Sequence, residues 1–172
     1  MAKRGFLARH GIVRNAIKKD MLYFAPAALI VSTAGLSVSA WDLIRHQESL
    51  FVHSAHNYFG IALLVAGLTI MIVAQITLFR SYSATLVIRE DHKLITHGIY
   101  RFMRHPIYTG AIMGLSGIAV YATSMYGFLV LSALIPVFLI RIRLEERLLT
   151  EEFGDEYLTY KMAVNKLIPF IY

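Results

Sequence analysis

The apolar positions of this chain are bunched into long runs separated by strongly charged stretches, so the runs can be measured against a bilayer. A hydrocarbon core of roughly 30 Å takes about 20 residues of helix. The first run, 21–40, carries Pro26 near its start, where a helix tolerates proline best. Val38-Ser39-Ala40 has the form of a cleavage site, but the run exceeds the roughly 7 to 15 residues of a signal core, so a retained span is expected. The second run, 57–79, is the longest without interruption. A third apolar region covers 106–140, which as one helix would measure about 52 Å and overshoot the membrane. A hairpin fits better, turning at Thr123-Ser124-Met125-Tyr126-Gly127 and leaving spans over 106–122 and 127–142, the latter kinked by Pro136. The expected architecture is all-α: a single polytopic domain of four transmembrane helices, the third and fourth forming a short hairpin.

The polar stretches complete this plan. Residues 1–20 alternate six Lys and Arg with Phe6, Leu7, Ile12, Val13 and Ile17, as a basic interfacial helix does. A loop follows at 41–56. The stretch 80–105 is too long for a passive connector, with 81–88 reading as extended and Thr96-His97-Gly98 as a turn. The tail, 143–172, is read as a cytosolic helix.

Composition agrees with membrane residence: mean hydropathy is +0.57 and 16% of residues are charged, against about 25% in soluble domains. A formal charge of +6 would suggest nucleic acid in a soluble protein. Here the basic residues flank apolar runs, where they set orientation and meet anionic lipids, so no nucleic-acid partner is expected. Of the 17 Lys and Arg, four spans place all but Arg45 on one side. That is the positive-inside pattern, with both termini cytosolic. The membrane would be the inner membrane of a prokaryote or the endoplasmic reticulum of a eukaryote. No Cys is present, which excludes disulfides, thiolate metal sites and a cysteine nucleophile.

This topology brings 80–105 and 141–172 to one membrane face, and those segments hold most of the polar chemistry. Arg104, His105 and Tyr108 crowd the start of the third span, where Pro106 suits the first helical turn and free backbone N–H groups favour an anion. Arg141 and Glu145 share a helix face at the membrane exit. The first group also reads as ordinary interface anchoring, and the second as a helix-surface salt bridge. His46, His53 and His56 have no acid or Cys at a useful ligand spacing, and no metal site is expected there. Gly110, Gly114 and Gly117 form a close-packing face, serving either the chain itself or a homodimer.

Together, His92-Lys93-Leu94-Ile95, Gly98, Tyr100, Arg104-His105-Pro106-Ile107-Tyr108, Arg141, Glu145-Glu146 and Phe153-Gly154-Asp155-Glu156-Tyr157 resemble the isoprenylcysteine carboxyl methyltransferase and phospholipid methyltransferase superfamily. The resemblance covers the second half of the chain. It implies S-adenosylmethionine as cofactor, leaving as S-adenosylhomocysteine, held by His92 to Ile95, Gly98, Tyr100, Arg104 to Tyr108 and Glu145. It further implies that Arg141 faces a lipophilic or lipidated acceptor. A carboxylate acceptor arrives ionised and needs only orientation by Arg141; an amine or thiol would need a base, for which Glu146 and His105 are candidates. Two other readings are an NADPH-dependent membrane oxidoreductase of the sterol reductase type and a non-catalytic scaffold. The reductase pattern Arg-His-x-Asn-Tyr is not met, because Pro106 and Ile107 follow His105.

Overall fold

The structure, a computed structural model, describes residues 2–45, 54–83 and 94–169, apart from the side chains of 2–22 and 79–83. The described residues are helical with short connections. Helix α1 spans Ala2–Arg45, α2 Ala55–Ser83, α3 Pro106–Tyr121, α4 Met125–Ser132, α5 Leu134–Phe153 and α6 Asp155–Ala163, with a 3₁₀ turn at Gly98–Arg101. Three stretches are long and apolar enough to cross a membrane: Tyr23–Arg45, Ala55–Leu78 and Met125–Phe153. The shorter Pro106–Tyr121 is apolar too. The protein is an integral membrane protein, and Leu29, Ile30, Phe59, Val65 and Ile72 face outward from the bundle as lipid-facing side chains do.

The basic leader and the first span are one continuous helix, of about 66 Å at 1.5 Å per residue. No Gly or Pro lies between Gly11 and Pro26 to end it. Ser81, Tyr82 and Ser83, expected to be extended, instead form the end of α2; the rest of that stretch, 84–88, lies outside the described residues, as do His46 and His53.

Glycines set the α2–α3 contact. A Cβ on Gly67 would meet Gly110 O and Gly114 N at 2.5 Å, and one on Gly117 would meet Gly60 O at 2.6 Å. The two backbones therefore touch directly, which in lipid replaces the missing hydrophobic drive with close packing. The small-residue face of α3 is thus used within the chain. Between α1, α3, α4 and α5 lies a core of Ala119, Leu131, Leu134 and Phe138, packed by Phe24, Ala28, Val31 and Leu115.

The α3–α4 turn falls at Ala122–Ser124, two residues before the expected midpoint, and Met125 to Gly127 are helical. Ser124 explains the shift: its side chain caps α4 by accepting from Gly127 N at 2.9 Å. The second arm of the hairpin breaks at Ala133. Pro136 lies three residues on; it has no N–H for the carbonyl of Ser132, and its ring crowds that group. Gly154, at φ +56°, divides the tail from α5, so the expected single tail helix is replaced by the end of α5 and a separate α6.

Candidate active site

The site is built where the residues preceding α3 meet α5 and α6. Gly98 opens the 3₁₀ turn at φ +62°, a conformation L side chains rarely adopt. The chain then passes beside the tail: Arg104 N donates to Asn165 O at 2.9 Å and His105 N to Lys166 O at 3.0 Å. This short parallel pairing fixes Arg104 and His105 before Pro106 starts α3. Thr109 adds a further tie, its hydroxyl donating to Leu167 O at 2.9 Å.

Two neighbouring carboxylates on α5 receive what this segment presents. Glu146 is 5% exposed and gathers three cationic or imidazole groups. Arg104 Nη1 lies 2.7 Å from Oε1, Lys161 Nζ 3.0 Å from Oε2 and His105 Nε2 3.4 Å from Oε1. Glu145 is the more open of the pair. Its Oε1 accepts from the Tyr108 hydroxyl at 2.7 Å and from Arg141 Nε at 3.1 Å, while Oε2 lies 3.7 Å from His105 Nδ1. His105 therefore stands between both acids, 6% exposed. On the far side of this node, Phe24 of α1 lies under the Arg141 guanidinium at 5.4 Å and meets the edge of the Tyr108 ring.

A cavity of about 130 Å³ opens beside Arg104, lined by Leu78, Leu94, Ile95, Tyr100, Leu149, Phe153, Tyr157 and Tyr160 as well. Arg104 Nε and the Tyr157 hydroxyl are buried there beside one another, neither in a well-formed hydrogen bond. Burial, with the nearby Glu146 charge, pushes the Tyr157 phenol up to about 12, so it is a proton donor at any physiological pH. Tyr160, shifted upward mainly by burial, spends its hydroxyl on Tyr100 O at 2.6 Å.

Most of the residues singled out in the sequence meet here. Leu94, Ile95, Tyr100 and Arg104 line the cavity; Arg104, His105, Tyr108, Arg141, Glu145 and Glu146 form the polar cluster. Gly98 shapes the turn, Pro106 is buried at the first position of α3, and Ile107 is half-buried outside the cavity lining. His92 and Lys93 lie outside the described residues. Sequence reasoning passed over Phe24, Leu149, Tyr160 and Lys161. Tyr160 was within reach, since it follows Tyr157 by three on one helical face. Lys161 reads in the sequence only as one of the basic residues that set orientation. His56 joins no cluster of acids: Nε2 pairs with Thr123 Oγ1 at 2.9 Å and ties α2 to the hairpin turn.

A helical membrane bundle with a buried Arg-His-Glu cluster beside an aromatic cavity defines a class: membrane proteins whose polar site sits where a spanning hairpin emerges. Within that class the chain belongs to the phospholipid methyltransferase family, whose model matches residues 55–156. It is 34% identical over 116 residues to protein-S-isoprenylcysteine O-methyltransferase A of Arabidopsis thaliana, covering 66% of this chain and 59% of that one. It is 30% identical over 124 residues to the protein-S-isoprenylcysteine O-methyltransferase of Schizosaccharomyces pombe, covering 70% of this chain and 52% of that one. Methanethiol S-methyltransferase 1 of Bradyrhizobium diazoefficiens is 41% identical over 73 residues, which is 42% of this chain and 25% of that one. The chain thus spans between a half and three fifths of the length of these two isoprenylcysteine relatives. Its fold is that of a solved eukaryotic intramembrane Ras methyltransferase, isoprenylcysteine carboxyl methyltransferase, with TM-score 0.68 and 24% identity over 85% of this chain and 53% of that one.

Proposed function

We propose that the chain transfers a methyl group from S-adenosylmethionine to a lipophilic acceptor at the cytosolic face of a membrane that it crosses four times, with both termini cytosolic. One observation carries the reading: Arg104, His105 and Tyr108, at the start of α3, meet Arg141, Glu145 and Glu146 of α5 in a single buried cluster. The residues fit the cofactor. A cavity walled by aromatic rings, with two buried polar donors lacking well-formed hydrogen bonds, suits a heteroaromatic base with acceptor atoms. Leu94, Ile95, Tyr100, Arg104 and Tyr157 would hold that base, and Glu145 would take an ammonium through the oxygen turned toward His105. When bound, S-adenosylmethionine supplies a methyl group activated on a sulfonium.

The chain's own contribution is positioning and exclusion of water. Glu146, with both oxygens engaged, fixes Arg104, His105 and Lys161 against one another. That saturation suits a positioning role better than a base. Arg141, 12% exposed and backed by Phe24, offers its charge to an acceptor carboxylate. His105 lies in a nearly dry setting, where orientation is worth most.

The relatives' names point to a carboxylate on a lipidated cysteine as acceptor. A thiol is the second reading, favoured by the methanethiol enzyme's 41% identity across its matched stretch. Transfer of labelled methyl into prenylated cysteine, small thiols and fractionated host lipids tests both. Glu145→Ala and His105→Ala are each expected to lower transfer more than about tenfold. Near-native turnover in either variant removes that residue from the site, and labelled product in none of the fractions refutes methyl transfer.

A further inference from the structure

Glu146 also borders an open cleft of about 400 Å³ between α5 and α6, lined by Arg143, Arg147, Thr150, Glu151 and Lys161 besides Glu146 itself. Two of its polar groups are already committed: Lys161 to Glu146, and the Thr150 hydroxyl to Glu146 O at 2.7 Å. Arg143 and Arg147 are not. Both are exposed, and among the described residues neither makes an ion pair or side-chain hydrogen bond. Glu151, four residues past Arg147, is exposed and makes no ion pair with it within 4 Å. Two like charges four apart on one helix cost a few tenths of a kcal/mol without a counter-ion.

The surroundings say which anion fits. The apolar run gives way to charge at Arg141, and with the span ending at 142 Arg143 and Arg147 fall where lipid headgroups are expected. Pro136, Ile140, Arg143 and Arg147 follow one another at spacings of four, three and four, so they form one stripe along the helix. Pro136 is exposed, and Ile140 is 59% exposed. An outward apolar stretch leading into two unpaired guanidinium groups matches an acyl chain leading into a phosphate. Free phosphate would use only the upper half. Guanidinium forks bind phosphate oxygens in pairs, and a zwitterionic headgroup would bring its own cation into an already basic cleft.

We propose that this cleft is a binding site for the phosphate of an anionic phospholipid, with Arg143 and Arg147 as its ligands and Lys161 linking it to the Glu146 cluster. The test reads lipid rather than methyl, so it stands or falls apart from the proposed reaction. Full-length protein in lipid nanodiscs is titrated with spin-labelled phosphatidylglycerol and, separately, spin-labelled phosphatidylcholine. The expected result is a preference for phosphatidylglycerol that R143Q/R147Q reduces more than about tenfold, as the loss of two charge-assisted contacts to one phosphate would. Arg101→Gln, which removes an exposed charge from the segment before α3, is expected to change it less than twofold. An undiminished preference in the double variant overturns the site. An equal fall with Arg101→Gln overturns it too, since the effect is then diffuse charge. Displacement of the lipid by low-millimolar inorganic phosphate reassigns the cleft to a free anion, and displacement by S-adenosylhomocysteine assigns it to the cofactor; either contradicts the proposal.

Discussion

Helix α3 is gripped at both ends, and the two grips are built differently. At its C-terminal end the contacts are short and mostly neutral. Asn57, 2% exposed, donates to Tyr121 O at 2.8 Å and accepts from Ser54 through Oδ1; His56 meets Thr123, and Ser124 donates to Asp42 Oδ2 at 2.6 Å. At its N-terminal end three basic groups converge on Glu146, a second carboxylate stands beside it, and two buried polar atoms are left without a well-formed hydrogen bond. The first grip holds a hairpin turn to the neighbouring helices and asks nothing more of its residues. The second carries more charge than holding a helix needs, and burying charge costs several kcal/mol per ion before pairing returns it. That excess is the mark of a site.

The contrast predicts different responses to substitution. The largest effect is expected from Glu146→Ala, which leaves Arg104, His105 and Lys161 facing one another without their acid. Loss of about 3–5 kcal/mol should appear as a lowered midpoint in detergent thermal unfolding; an unchanged midpoint would show the cluster to be dispensable for folding. Next comes Glu145→Gln, which keeps the shape and removes the charge of the more open acid. Methyl transfer is expected to fall more than about tenfold while the unfolding midpoint moves little. A parallel loss of stability and turnover would erase the distinction between the two carboxylates. Gly67→Leu attacks the seam between the grips, because its Cβ would meet α3 backbone at 2.5 Å; destabilisation of about 1–3 kcal/mol is expected. The smallest effect belongs to the neutral end. Asn57→Ala should cost about 1–2 kcal/mol of stability and leave the specific activity of the folded fraction unaltered. A fall in specific activity there would mean that the turn is coupled to the site.

How much of this was legible beforehand depended on the length and exclusivity of each signal. The run at 57–79 and the proline opening of α3 were readable because apolar length and Pro at a first helical position each have few alternatives. The continuity of α1 was not readable, since Lys18 and Lys19 mark where a polar setting lies and do not end a helix. The turn was displaced by two residues because Tyr126 and Gly127 look loop-like, whereas Ser124 is a better cap than anything after it. Gly60 and Gly67 were silent for a different reason: a lone glycine in an apolar run has no meaning until its partner on α3 is known. At the site, the segment from Arg104 to Tyr108 and the Glu145-Glu146 pair stood out as charge crowded against a span. Phe24 and Lys161 did not, because each matters only through a residue more than eleven positions away.

Equilibrium binding of S-adenosylhomocysteine to the detergent-purified chain, by calorimetry, tests the central claim most directly. Saturable binding at one site per chain, abolished by Arg104→Gln and not matched by NADPH, is the predicted result. Tight binding of NADPH with no heat from S-adenosylhomocysteine would contradict the account.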